Sequence, residues 1–203
     1  MPVINGDQIA VGITRQNSRT TAESTIQKWF GLTEPMTIAE SPEKLALYET
    51  RANASMHQGA EVMYEQSSGN LKLYAAPESM GYFAFGVMGE VDITDNGDGT
   101  YTKVIDILQS SVQIPMFTIF RYLGGIAHQR IANAAFAKAK ISMKSGDVIR
   151  FETDFLAGEV DNPGGSVTPS IEAVNRMNHY HGSFKIGAVG GSLSAVDVDE
   201  AEF

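Results

Sequence analysis

The chain has 203 residues and a formal net charge of −9, from 24 acidic against 15 basic side chains. That length suits one domain, or one with a large insertion, and buries about 70% of the unfolded surface, enough for a core without covalent staples. It contains no cysteine, which excludes disulfide frameworks, Cys-ligated zinc, iron–sulfur clusters and thiol catalysis together.

Residues Val3 to Thr33 are rich in Ser, Thr, Asn and Gln and hold few alternating runs. A short helix over Thr21–Phe30 would put Ala22, Ile26, Trp29 and Phe30 on one face. The polar content favours the other reading, an extended N-terminal arm or loop over residues 1–35 that docks on a neighbour. From Met36 to Gln66 strands are expected, with Leu45, Leu47 and Met63 alternating with polar residues and Gly59 or Gly69 marking turns.

Pro77 to Gly89 changes period. Pro77 suits the first helical position and Glu78 the first turn. Met80, Phe83, Ala84, Val87 and Met88 then recur at helical spacing, and Gly89 stops the run. The internal glycines Gly81 and Gly86 imply close packing against a sheet. A hairpin over residues 91–107 follows, turning at Asp95-Asn-Gly-Asp-Gly-Thr between apolar alternations.

Val112 to Tyr122 reads as a strand interrupted at Pro115. Ile126 to Lys144 has helical propensity around Ala132–Ala139, but alternation of Phe136, Lys138 and Lys140 against Ala137, Ala139 and Ile141 fits a strand better. The turn Lys144-Ser-Gly-Asp147 joins it to a run with Ile149, Phe151 and Phe155 on one face and Arg150, Glu152 and Asp154 on the other. Glu159 to Ser170, with Asp-Asn-Pro-Gly-Gly and Thr-Pro, reads as a loop. The end alternates again through Phe184, Ile186, Leu193, Val196 and Val198, and the chain stops at Ala201-Glu-Phe203 inside that pattern. A fragment of a longer protein and a last strand that pairs with another chain both fit. The sum is mainly β: a sandwich or barrel-like domain over 36–203, with one short α-helix and long loops.

Chemistry is sparse. An EF-hand counted from Asp92 meets Lys103 at its twelfth position, so the Asp95–Thr100 segment reads as a turn that needs positive φ. His179 and His181 share one strand face, but His57 and His128 lie far off with no ligand spacing. No nucleophile elbow, phosphate loop or zinc-protease motif occurs, and Gly187–Gly191 lacks the Lys of a phosphate loop. No apolar run approaches the length of a membrane span, and Met1–Ala10 has neither the basic nor the apolar region of a secretory signal. The acidic balance argues against a protein that grips DNA by counterion release, though not against one that DNA slides past.

One stretch carries a resemblance. Pro115-Met-Phe-Thr-Ile-Phe120 precedes Lys140-Ile-Ser-Met-Lys-Ser-Gly-Asp-Val-Ile-Arg-Phe-Glu-Thr-Asp-Phe-Leu156. This resembles the tail tube (major tail) proteins of tailed bacteriophages, where a P-x-F-T-I strand leads to a segment ending D-F-hydrophobic. The upstream order of strands, a glycine-containing helix and an insertion hairpin is similar too, over roughly residues 36 to 158. The family often has Gly-Cys where this chain has Ala134-Ala135, and usually continues with further strands.

The resemblance implies a β-sandwich subunit that forms hexameric rings, stacked into the hollow conduit for passing double-stranded DNA. Its partners would be other copies of itself, a tape-measure protein, and tail terminator and distal tail proteins. It would be a virion protein assembled in host cytoplasm, with no catalytic residue, cofactor, metal or membrane. The face carrying Arg150, Glu152 and Asp154 would lie towards the lumen or a neighbouring subunit, with Glu61 and Glu65 on a second candidate strand. The alternative is a β-sandwich binding module, such as a capsid-decorating or adhesin-like domain.

Overall fold

The computed structural model describes residues 9–48, 57–107, 114–124, 127–164, 167–171, 176–178, 184–186, 194–196 and 200–202. Val112, His179, His181, Gly187–Gly191, Leu193 and Val198 of the sequence reading lie outside them. The described fold is mainly β, with one α-helix among the described residues.

Its centre is an antiparallel path of seven strands. In spatial order these are β2 (Lys28–Gly31), β1 (Ile9–Arg15), β9 (Phe117–Leu123), β10 (Ala127–Lys144), β11 (Arg150–Ala157), β6 (Ser67–Tyr74) and β3 (Thr37–Glu40). The 18-residue β10 belongs to both halves: its first part pairs with β9, its second with β11. Two short strands pair with β10 as well, β12 (Val160–Asp161) near its start and β15 (Glu200–Glu202) near its end. Two-stranded ribbons form from β4 (Glu43–Tyr48) with β5 (His57–Tyr64), β7 (Gly89–Asp95) with β8 (Tyr101–Ile107), and β13 (Phe184–Ile186) with β14 (Ser194–Val196).

Two irregularities let β10 change partners. Register slips between Ile131 and Ala134, where Asn133 takes φ 56°. Asn tolerates that left-handed conformation better than other non-glycine residues. Gln16 holds it there: Asn133 N–H donates to Gln16 Oε1 at 3.0 Å, and Gln16 Nε2 donates to Asn133 Oδ1 at 2.9 Å. A second slip lies between Phe136 and Lys138, leaving Ala137 without a cross-strand partner. A β-bulge of one residue inverts the side-chain phase. Phe136 therefore points into the core, and beyond the bulge Ala139 and Ile141 do. The expected grouping of Phe136 with Lys138 and Lys140 is thus corrected, because strict alternation assumes an unbroken ladder.

Side chains from both halves meet in one core, including Val11, Ile13, Leu71, Phe117, Ile119, Phe136, Phe151 and Phe155. The helix α1 (Pro77–Met88) completes it. Phe83 is wholly buried, with ring centroids 5.1 Å from Phe30, 5.3 Å from Phe136 and 5.3 Å from Phe151. Pro77 opens the helix, Ser79 Oγ accepts the Ala76 N–H, and Gly89 at φ 95° ends it. A Cβ at Gly86 would fall 2.4 Å from Phe136, so the helix sits tight on the sheet there. Gly81 meets only the Lys103 side chain of β8, so it does not mark a sheet contact as expected.

The segment read as an arm is the largest correction. Residues 9–15 form an interior strand, with Val11 and Ile13 wholly buried, and no helix covers 21–30. Residues 16–27 fold over the outer side of β1 and β9. Thr14 Oγ1 donates to Thr25 C=O at 2.6 Å and accepts the Gln27 N–H, and Glu23 N–H donates to Thr118 Oγ1. A Cβ at Gly12 would fall 2.6 Å from Ile26. The Ser, Thr and Gln content that suggests a solvated arm instead supplies the hydrogen bonds that pin this largely exposed, non-repetitive segment to the sheet. Residues 159–170 are not loop throughout as expected: Val160–Asp161 joins the sheet, with Arg130 donating twice to the Asp161 carboxylate.

Candidate assembly surfaces

The turn between β10 and β11 follows from Gly146, at φ 81°, and from the Asp147 N–H bonding the Lys144 carbonyl. Beyond it β11 alternates as its sequence dictates. Phe151, Thr153, Phe155 and Ala157 are buried, Arg150 is exposed, and Glu152 and Asp154 are half-buried on the outer side. Cross-strand neighbours supply the countercharges. Glu152 stands between Lys140 of β10 and Lys72 of β6, while Asp154 stands between Lys138 and Asn70. Asn70 Nδ2 donates to Glu152 Oε1 at 3.0 Å and to Asp154 Oδ1 at 2.6 Å, clamping the two carboxylates together. Arg150 pairs with Asp147 at 3.2 Å.

Lys72 reaches Glu34 at 2.8 Å, and that hydrogen bond raises its pKa. The Arg150, Glu152 and Asp154 face is therefore a ladder of alternating charge, not an acidic wall. Such exposed pairs contribute little stability but fix which charge stands where.

Glu61 and Glu65 do not join this face. Glu61 lies in β5, opposite Leu45 of β4. Glu65 is exposed in the link to β6, and with Glu40 and Glu159 it lines a cleft of about 190 Å³. Among the described residues no group of three His, Asp or Glu side chains is arranged to hold a metal ion.

A feature that sequence reasoning missed lies in the β7–β8 hairpin. Its turn behaves as the Asn-Gly and Asp-Gly pairs dictate: Gly97 and Gly99 take φ 78° and 84°, and Asp95 and Asp98 carboxylates accept the Gly97 and Thr100 N–H groups. Thr100 also lowers the Asp98 pKa. The register places Val91 opposite Ile105, Ile93 opposite Lys103 and Asp95 opposite Tyr101. Those residues and Ile107 share one face, while Glu90, Asp92 and Asp106 share the other with Val104. On the apolar face, Ile93, Tyr101 and Ile107 remain 60%, 61% and 68% exposed. Alternation in both strands is visible in the sequence, but only the register shows that their apolar residues other than Val104 fall on one side.

The Ala137 bulge has a second effect. On the outer side of the sheet, Ala39, Ser68 and Gly69 lie beside Ala137, and Leu156 is 49% exposed. With Ile38, Phe155 and Asp154 they line a largely apolar groove of about 410 Å³. The small floor residues and the displaced β10 backbone leave the space. A Cβ at Gly69 would fall 2.4 Å from the ring of Phe155, its cross-strand partner in the core, and 2.5 Å from the Thr37 carbonyl, so the chain needs glycine at this position.

No family model and no curated protein matches the chain. Among the described residues no helix is long and apolar enough to cross a membrane.

Proposed function

We propose that the chain is a structural, self-assembling subunit of a tailed-phage tail tube, forming hexameric rings that stack into a hollow conduit for DNA. The observation that carries this reading is a well-packed single core beside large apolar side chains left exposed together on a two-stranded hairpin. A single hairpin is marginally stable by itself, and exposed apolar clusters mark interaction surfaces. The order of elements from β3 through α1 and the hairpin to the β9–β10–β11 unit follows the order on which the resemblance rests. The outer edges of β2 and β3 have no strand partner among the described residues, and unpaired edges are templates for pairing between chains. The charge-compensated outer face of β11 suits a wall past which a polyanion moves, because it offers no cluster of unpaired cations.

Negative-stain electron microscopy of the purified chain over a concentration series tests this reading. Six-fold rings or hollow tubes of uniform diameter are expected. Discrete monomers or trimers at every concentration, with no response to a preformed tail-tube end, would overturn it in favour of a binding module.

A further inference from the structure

We propose that Asn96, at the tip of the β7–β8 hairpin, is a self-modification site whose side-chain amide is lost through attack by the Gly97 backbone nitrogen. The chemistry of an Asn-Gly pair is intramolecular: the main-chain nitrogen of the second residue closes a succinimide ring on the side-chain carbonyl of the first. Glycine has no Cβ to hinder that approach.

The turn gives the reacting atoms specific partners. The Asp95 carboxylate accepts the Gly97 N–H at 2.9 Å, so a proton acceptor already stands on the attacking nitrogen. Thr102 Oγ1 donates to Asn96 Oδ1 at 3.1 Å, the oxygen on which negative charge develops as the ring closes. Asn96 Nδ2 donates to Thr100 Oγ1 at 2.9 Å, and the Asn96 N–H donates to the Thr100 carbonyl at 3.1 Å. These bonds hold side chain and backbone together at the strand ends. Residues 95–102 are all exposed, so water reaches the ring once it forms. The adjacent Asp98-Gly99 pair is arranged differently. Its carboxylate accepts the Thr100 hydroxyl and N–H, both of which favour the ionised form, a poor target for attack.

In the step, the bond from Gly97 N to Asn96 Cγ forms and the bond from Cγ to Nδ2 breaks. The proton leaves Gly97 for Asp95 and passes to the departing nitrogen, which leaves as ammonia. Water then opens the ring at either carbonyl and leaves an aspartate or an isoaspartate. Nothing is oxidised or reduced. Either product sets a new carboxylate between Asp95 and Asp98 and removes the Nδ2 bond to Thr100. The tip therefore gains negative charge with age, next to the exposed Tyr101. The chemistry is the same whether or not the chain assembles.

Incubation of the full chain at neutral pH, with and without guanidinium chloride, tests this. Peptide mapping by mass spectrometry reads Asn96 apart from Asn5-Gly6, the other Asn-Gly pair of the sequence. Conversion at Asn96 is expected to run faster in the folded chain than in the unfolded one. Asp95→Asn keeps an acceptor for the Gly97 N–H but supplies no base; it is expected to slow the folded rate at least about fivefold, a modest share of what a positioned base provides. Thr102→Val removes the donor on Oδ1 and is expected to slow it as well. A folded rate at or below the unfolded rate overturns the proposal, and so does either variant reacting at the wild-type rate. The folded and unfolded comparison needs no substitution, so it decides the matter even if a variant disturbs the turn.

Discussion

The antiparallel hairpins β10–β11 and β7–β8 are built on the same glycine-and-aspartate turn chemistry, and they meet opposite fates. β10–β11 turns at Ser-Gly-Asp and buries one whole side in the core. β7–β8 turns at Asn-Gly-Asp-Gly and leaves its apolar side exposed. The difference lies beyond the turns. β11 has β6 on its other edge and α1 over its inner face, whereas β7–β8 is a two-stranded ribbon with no further strand among the described residues. Turn residues make a hairpin; neighbours decide whether its apolar face is core or exposed surface.

That contrast can be broken by substitution. Phe83→Ala should destabilise the monomer by about 3–5 kcal/mol, read by urea unfolding, because the ring touches both halves and cannot be replaced by collapse. A loss under about 1 kcal/mol would mean that α1 is not part of the common core. Gly86→Ala gives up a helix-weakening glycine, worth about 1 kcal/mol, but drives a methyl into Phe136. Overpacking of that kind costs about 1–3 kcal/mol, so net destabilisation is expected in the same assay.

Tyr82 supplies a pH test of the helix contact. Burial first of all pushes its pKa up to about 12. A folded pKa above the unfolded value of about 10 means stability is complete below pH 10 and is lost as pH rises towards 12. Tyr82→Phe should flatten that decline, measured as unfolding midpoints across the alkaline range. An unchanged slope would place the phenol in water. The smallest effect is expected in the other hairpin: Ile93→Ser should move monomer stability by no more than about 0.5 kcal/mol. A large loss there would show that the apolar stripe is satisfied within its own chain.

The sequence made some of this legible. Pro77, the helical spacing through Phe83 and Gly89 placed α1 because each signal is local. Ser145-Gly146-Asp147 placed the β10–β11 turn for the same reason, and with it the outward position of Arg150, Glu152 and Asp154. What failed depended on distant partners. β1 is buried on both faces, with Ala10 and Thr14 as enclosed as Val11 and Ile13, so it shows no alternation to read. The Ala137 bulge has no residue signature, since an alanine fits either phase. Pairing of Lys140 and Lys72 across Glu152 required the register, which no single strand encodes. The groove followed from the bulge and was equally hidden.

The shared strand has a mechanical consequence. Because β10 runs from one half of the sheet into the other, load applied at β2 and handed through β1 and β9 reaches β11 and β6 by way of one shared strand. Neither half can shear away without tearing hydrogen bonds along the strand that serves both. Pulled or heated, the nine-stranded sheet should therefore yield as a single element, its amides exchanging together, while the β7–β8 ribbon exchanges ahead of it.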